Sequence, residues 1–373
     1  MQITNVEAIV LRLPEVAHVS DGTQDALIIR IHTDNGLVGI GEADSMPTVL
    51  KAAIEAPTSN SIGYGLRDLL IGQDPLQIEP LWRRLMEGTL YLGSGGLRLT
   101  AISGVEMALW DIAGKATNQP VSVLLGGAFR QRVRAYASVL FPEDPSDIET
   151  VRTTAAHLRE QGYRAIKFGW GGFGLDRRAD LRLVEAARDG AGAEVDLLVD
   201  VGFRWDLPTA IERVQALAKF DLYWLEAPMP FEPAEAYAEL CARSPIRIAC
   251  EVPGGLEESI RFLRTGRLHV LLPDASNVGG LGQWKRLAQQ AQMQGAWCVP
   301  HCYSTGILTA ASLHLVANQP TTNLIECSES GSPLNTALVT PIIRPVDGYV
   351  TIPQGPGLGI ELDDTVLASY RVA

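Results

Sequence analysis

Between residues 133 and 328 short β-prone runs recur at a near-constant interval, and this constrains the fold more than any other feature of the chain. The runs are VRAYAS (133–138), AIKF (165–168), DLLVDV (196–201), LYWLEA (222–227), RIACEV (247–252), HVLLPDA (269–275), AWCVPH (296–301) and NLIECS (323–328). Helix-like segments separate them. Alternating β and α units imply a parallel sheet. Eight such units fit a closed (β/α) barrel better than an open sheet. The preceding region reads as α+β, with strands over 2–13 and 26–41 and turn signals in DNG (34–36) and GLVGIGE (36–42). Helices follow around 75–90 and 98–117, and the polar stretches 15–25 and 45–65 read as mobile loops. The expected organisation is an N-terminal α+β capping domain (1–125), a barrel (126–340) and a Pro/Gly-punctuated C-terminal segment (341–373) packing back on the cap.

Composition narrows the function. The 373 residues carry a formal net charge of −12, with 46% hydrophobic and 20% charged residues, which excludes wholesale disorder. No Lys/Arg cluster offers a basic face, so no nucleic-acid partner is expected. No apolar run approaches the ~20 residues needed to span a bilayer, so no membrane partner is expected. Residues 1–12 alternate like a strand rather than forming a signal-peptide core, and a cytoplasmic location is the expectation. Five cysteines without a CxxC pair read as buried free thiols rather than disulfides.

Seven of the eight runs carry an ionisable residue at or near the end: Lys167, Asp200, Glu226, Glu251, Asp274, His301 and Glu326. From Asp200 onward the steps are 26, 25, 23, 27 and 25 residues, about one βα unit each. The same strand end is therefore sampled repeatedly, and these side chains should converge on one mouth of the barrel, where active sites of such barrels sit. Asp200, Glu226 and Glu251 offer three hard oxygen donors on successive strands, which suits Mg²⁺ or Mn²⁺ rather than zinc. The competing reading is a ring of rim salt bridges, for example with Lys167 or Arg204. Asp274 and His301 stand one unit apart, so a carboxylate can orient the imidazole and leave its other nitrogen for proton transfer; the plain alternative is a structural hydrogen-bonded histidine. Lys167 is either an ion-pair partner of the acidic cluster or, desolvated, a base with a lowered pKa. Gly169, Gly171 and Gly174 match G-x-G-x-x-G, with Asp200 beyond them. A dinucleotide site in mid-chain would leave the acidic ladder unexplained, so a βα loop is the better reading, as it is for NVGGLG (277–282).

The helix DIAGKATNQPVSVLLGG, the strand GYRAIKF, VD at 199–200, LEAP at 225–228, Glu251, PDASNVGG at 273–280, PH at 300–301 and IE at 325–326 together resemble the mandelate racemase / muconate lactonising group of the enolase superfamily. The resemblance covers essentially the whole chain. It implies an enolase-type (β/α) barrel with a capping domain. Asp200, Glu226 and Glu251 then match the magnesium ligands, Asp274 and His301 the His–Asp dyad, and Glu326 the eighth-strand glutamate that hydrogen-bonds the enolate-like oxygen. Lys167 matches the first lysine of a Lys-x-Lys motif whose second position is here Gly169. Gly202 stands where many members carry Asn.

Removing a hydrogen α to a carboxylate requires charge stabilisation where charge develops, and a divalent cation supplies it. With one lysine absent, a single-face reaction fits better than two-base racemisation. The leading expectation is dehydration of an aldonate or aldarate to a 2-keto-3-deoxy acid, with His301 as base and then acid. A cycloisomerase or epimerase is the enzymatic alternative, and a non-catalytic sugar-acid binding protein the other. The expected partners are a sugar acid and further copies of the chain in a homo-oligomer. Specificity is expected from loops 15–25 and 45–65, with His18, Ser20, Asp21 and Ser45 as candidates for substrate hydroxyls, and from Trp170, Phe173 and Tyr303 as lining.

Overall fold

The computed structural model describes every residue except Glu232, Pro253 and Ala373. Strands β1 (Ile3–Arg12), β2 (Asp25–Thr33) and β3 (Val38–Ala43) form an antiparallel sheet in that order. One face of this sheet and helices α1 (Pro47–Glu55), α2 (Leu66–Leu70), α3 (Ile78–Gly88) and α4 (Leu97–Thr117) enclose their own apolar core, built from Ile29, Leu66, Leu85, Ile102 and Val105 among others. Helix α4 is buried along most of its length, as its mean apolar character requires. Residues 45–65 are not simply a loop, because Pro47 opens α1 at a position where its missing N–H costs nothing.

Eight parallel strands follow: β4 (Arg132–Leu140), β5 (Ala165–Gly169), β6 (Asp196–Asp200), β7 (Leu222–Glu226), β8 (Ile248–Cys250), β9 (Val270–Leu271), β10 (Trp297–Cys298) and β11 (Leu324–Ser328). Each pairs with its chain neighbour from β4 to β10, and β11 returns to pair with β4. The curl is thus joined at seven of eight places. Among the described residues no strand ladder links β10 to β11, and a bond from the Cys302 N–H to Glu326 Oε2 (2.9 Å) crosses that gap. The interior is a packed layer rather than a pore, with Tyr136, Leu198, Trp224, Val270, Val299 and Leu324 filling it. Tyr136 meets Trp224 edge-on at 5.6 Å and forms the floor beneath the strand ends.

Helices outside the barrel start at sequence-legible caps. Asp147, Asp176 and Asp206 accept from the first-turn N–H groups of the helices Ile148–Glu160, Arg177–Ala191 and Leu207–Leu217. The C-terminal segment adds a short strand, Tyr349–Thr351, antiparallel to β4, and ends beside β1, where Val372 N–H donates to Val10 O.

Three buried carboxylates fasten the cap to the rest. Glu42 at the end of β3 accepts from the hydroxyls of Ser304 and Thr305 and from the N–H groups of Thr305 (3.2 Å) and Leu308 (3.0 Å). Glu106 on α4 accepts from Leu281 and Gly282 N–H, which open the helix Leu281–Met293. Asp111 accepts from Ile40 and Leu358 N–H and pairs with Lys115. Burial pushes all three carboxyls above their ordinary range, Glu106 to about 7.

Candidate active site

Strand register brings the ionisable ends together. Ser138 lies opposite Lys167, Gly169 opposite Asp200, and Asp200 opposite Glu226. Glu326 lies opposite Tyr136 on the closing strand. Asp274 and His301 stand just past β9 and β10, and Glu251 just past β8. A cavity of about 410 Å³ opens above them, lined by Ser138, Lys167, Gly169, Trp170, Asp200, His301, Tyr303 and Glu326 from the barrel and by Ser20, Asp21, Gly22 and Asp44 from the cap.

Lys167 does not behave as a desolvated base. Its buried Nζ sits 3.0 Å from Glu226 Oε1 and 2.7 Å from Glu326 Oε1. Burial alone pulls its pKa down, but Glu226, Glu326 and Asp200 outweigh this and push it up, which favours the ammonium; of these, Glu326 is the partner that a cation on Asp200, Glu226 and Glu251 would leave to it. Glu326 responds in the opposite sense. Burial raises its pKa, yet Lys167 and His301 bring it well below the ordinary range, leaving a carboxylate.

His301 Nδ1 lies 2.7 Å from Asp274 Oδ2. Asp274 is fully buried, and its other oxygen accepts from the N–H (2.7 Å) and hydroxyl (2.6 Å) of Ser276. As an acceptor, Asp274 fixes a proton on Nδ1, so Nε2 is the nitrogen left to exchange a proton with the cavity that His301 lines. Burial lowers the His301 pKa, but Glu251, the Asp274 bond and Glu326 raise it well above the usual histidine value.

Asp200, Glu226 and Glu251 offer the right donors for a hard divalent cation, but each is bonded to its own neighbour in this structure. Asp200 Oδ1 accepts from Gly202 N–H, Glu226 Oε2 from Trp224 Nε1, and Glu251 Oε1 from Asn277 Nδ2. Among the described residues no three acidic, His or Cys side chains close into a ready cation cage. The chemistry of the donor set still fits such an ion. Burial raises the pKa of Asp200 and of Glu251, and neighbouring acids, Glu226 for Asp200 and Asp274 for Glu251, raise them further, which marks an excess of buried negative charge that a cation would balance.

The two positions that depart from the family pattern are sterically committed. A side chain at Gly169 would place its Cβ 2.8 Å from Asp200 Cβ, so a lysine cannot be restored there without moving Asp200. Gly202 has φ +70°, and a Cβ there would meet the Trp170 indole at 2.8 Å. Trp170 therefore fills the space that a polar side chain at 202 would use.

Of the cap candidates, Ser20 and Asp21 line the cavity, whereas His18 and Ser45 do not. Trp170 and Tyr303 line it, and Phe173 instead stacks on Phe141 at 4.8 Å in the core. Sequence reasoning missed Asp44, which follows β3 directly. The only signal was strand alternation ending at Ala43, and it was masked by reading GLVGIGE as a turn. Backbone N–H groups of both glycine motifs are spent on partners within the fold. In the first, Gly172 N–H donates to Pro142 O and Gly174 N–H to Asp180; in the second, Gly279 N–H is taken by Ser103. All five cysteines are buried and free, and burial raises every one of their pKa values, Cys241 to about 12, so none is an activated nucleophile. No helix among the described residues is long and apolar enough to cross a membrane.

Comparison with known proteins agrees with this architecture. Residues 3–126 match the family described as mandelate racemase / muconate lactonizing enzyme, N-terminal domain, and residues 149–366 match the enolase C-terminal domain-like family. The chain is 33% identical to a D-galactarolactone cycloisomerase of Agrobacterium fabrum over 99% of its own length and 95% of that protein's. It is 31% identical to a D-galactonate dehydratase of Cronobacter sakazakii, covering 91% of this chain and 89% of the relative. The 3,6-anhydro-D-galactonate cycloisomerase of Zobellia galactanivorans superimposes with a TM-score of 0.89 at 28% identity over the full length of both chains.

Proposed function

The chain belongs to the mandelate racemase / muconate lactonizing enzyme family of the enolase superfamily, and on that premise we propose that it removes the proton α to the carboxylate of a sugar acid and expels the oxygen on the β-carbon. The observation that carries this reading is the His301–Asp274 dyad beside a cavity in which, among the described residues, the one lining lysine is ion-paired with Glu226 and Glu326. Asp200, Glu226 and Glu251 would hold Mg²⁺, with Mn²⁺ as the alternative. When bound, that cation supplies positive charge to the substrate carboxylate as the α-proton leaves.

His301 Nε2 takes the α-proton. For this it must be neutral, and the charge that most raises its pKa belongs to Glu251, one of the carboxylates a cation would balance. The Lys167 ammonium, positioned by Glu226 and Glu326, stabilises the growing negative charge and is not a second base. The β C–O bond then breaks, and His301 returns a proton to the departing oxygen. If that oxygen is a hydroxyl, water leaves and the enol becomes a 2-keto-3-deoxy acid, which is the dehydratase reading. If it is a ring oxygen, it stays tethered and the product is an isomer. The similarity to two cycloisomerases supports this second reading.

A screen of Mg²⁺-loaded protein against aldonates, aldarates and their lactones tests both. A 2-keto acid that has lost one water supports dehydration, and an unchanged mass with ring opening supports cycloisomerisation. Deuterium from D₂O should appear at C3 of the product, and exhaustive chelation should abolish turnover until Mg²⁺ returns. Rapid exchange of α-epimers without any keto acid would make Lys167 a second base and defeat the proposal.

A further inference from the structure

The cavity is unevenly charged. Its floor carries Lys167, Asp200, His301 and Glu326, and its cap side carries Asp21 and Asp44. Among the described residues that line it there is no arginine and no lysine besides Lys167. Both positive groups already have anionic partners: Lys167 has Glu226 and Glu326, and His301 has Asp274. Asp21 uses Oδ1 to hold Thr23. Asp44 has no hydrogen bond or ion pair to any described residue; burial, then Asp274, Glu42 and Glu251, push its carboxyl up to about 7 against the pull of His301, so it carries its full charge only above that pH. It is held in place from behind, because Glu42, two residues earlier, is bonded to the Ser304–Leu308 segment that follows His301.

We propose that this site takes a sugar acid with a single free carboxylate and a neutral far end, hydroxylated or closed into a ring, and that Asp44 is the residue that enforces this choice. The inference rests on the sugar-acid reading above and adds the substrate class. An unpartnered carboxylate accepts hydrogen bonds from sugar hydroxyls readily. The same carboxylate repels a second carboxylate, and no cation on the cap side offsets that repulsion. An aldonate, an aldarate closed at one end into a lactone, or an anhydro-aldonate satisfies both ends of the cavity. An open-chain aldarate satisfies only the floor.

The test is binding rather than turnover. The His301→Asn protein loaded with Mg²⁺ is titrated calorimetrically, at a pH well above 7 so that Asp44 is ionised, with stereochemically matched pairs: galactonate and galactarate, gluconate and glucarate, mannonate and mannarate. At least one aldonate should bind about 10²-fold more tightly than its matched aldarate, a gap of the size like-charge opposition produces. Adding Asp44→Asn should shrink that gap to under about tenfold, since the amide keeps an acceptor oxygen and loses the charge. Aldarates that bind as tightly as their partners overturn the inference and leave the sugar-acid reading standing. A gap that Asp44→Asn leaves untouched removes Asp44 from the role. If neither class binds at all, the sugar-acid reading itself falls, and this inference falls with it.

Discussion

Two sets of buried carboxylates in this molecule contrast sharply. At the barrel mouth, Asp274 and Glu326 face cationic or ionisable partners, His301 and Lys167. At the joint between cap and barrel, Glu42 and Glu106 face backbone N–H groups, hydroxyls and an indole, with no cation in their bonds. Residue type and burial are the same, but the outcomes diverge. Glu326 is driven toward permanent ionisation, and Glu42 and Glu106 are driven toward neutrality. At the mouth the cation-paired acids are available for charge chemistry, and at the joint Glu42 and Glu106 act as fasteners through neutral donors; Asp111 fastens too, with Lys115 added to its two N–H donors.

The comparison predicts that substitutions at the mouth change rate and those at the joint change stability. The largest effect is expected from His301→Asn, which should lower kcat by at least about 10³-fold, in the range of a general acid–base group. Its thermal midpoint should stay within about 2 °C of the parent, because it leaves the core unaltered. Retained turnover with a collapsed midpoint would place His301 among the fasteners.

Glu42→Ala should do the reverse. It strands two N–H groups and two hydroxyls at a site that is fully buried, and each unmet donor costs about 1–3 kcal/mol. A loss of about 3 kcal/mol or more is expected in urea unfolding, with Glu42→Gln losing less because its amide keeps one acceptor oxygen for these donors. Equal losses for the two variants would show that the joint needs the charge after all.

His314 provides a pH test of the joint. It is fully buried, with Nε2 bonded to Leu358 O and Nδ1 accepting from Ser122 N–H. Burial lowers its pKa to about 4 from 6.5. The unfolded chain therefore binds this proton and the folded chain does not, so stability is present above pH 6.5 and is lost as pH falls toward about 4. At about 1.4 kcal/mol per unit the loss approaches about 3 kcal/mol. Urea titrations across that window should show it, and the slope should flatten in His314→Gln. An unchanged slope in that variant would assign the acid sensitivity elsewhere.

The smallest effect is expected at Gly202. Gly202→Ala forces a side chain into the left-handed region and against Trp170, at about 1–2 kcal/mol. Pairing it with Trp170→Ala should recover the steric part only. Full recovery would mean that the backbone there is unstrained.

The sequence alone established the repeat of βα units, because each unit is written locally in apolar runs, capping aspartates and turns. It also placed Lys167, Asp200, Glu226, Glu251, Asp274, His301 and Glu326 at one end, since a fixed step along the chain samples the same end of every strand. It could not place Asp44. That residue meets the cavity only because β3 reaches the barrel mouth through Glu42, whose partners lie 262 to 266 residues away. Nor could it decide the state of Lys167. A lone buried lysine reads as a group ready to lose its proton, and whether it does so depends on which charges surround it. Those charges are Glu226, 59 residues on, and Glu326 on the strand that closes the curl. Local pattern fixes which residues reach the mouth, because strand and helix periods are short-range. Protonation and specificity are set by Coulomb and desolvation terms between groups that only tertiary packing brings together.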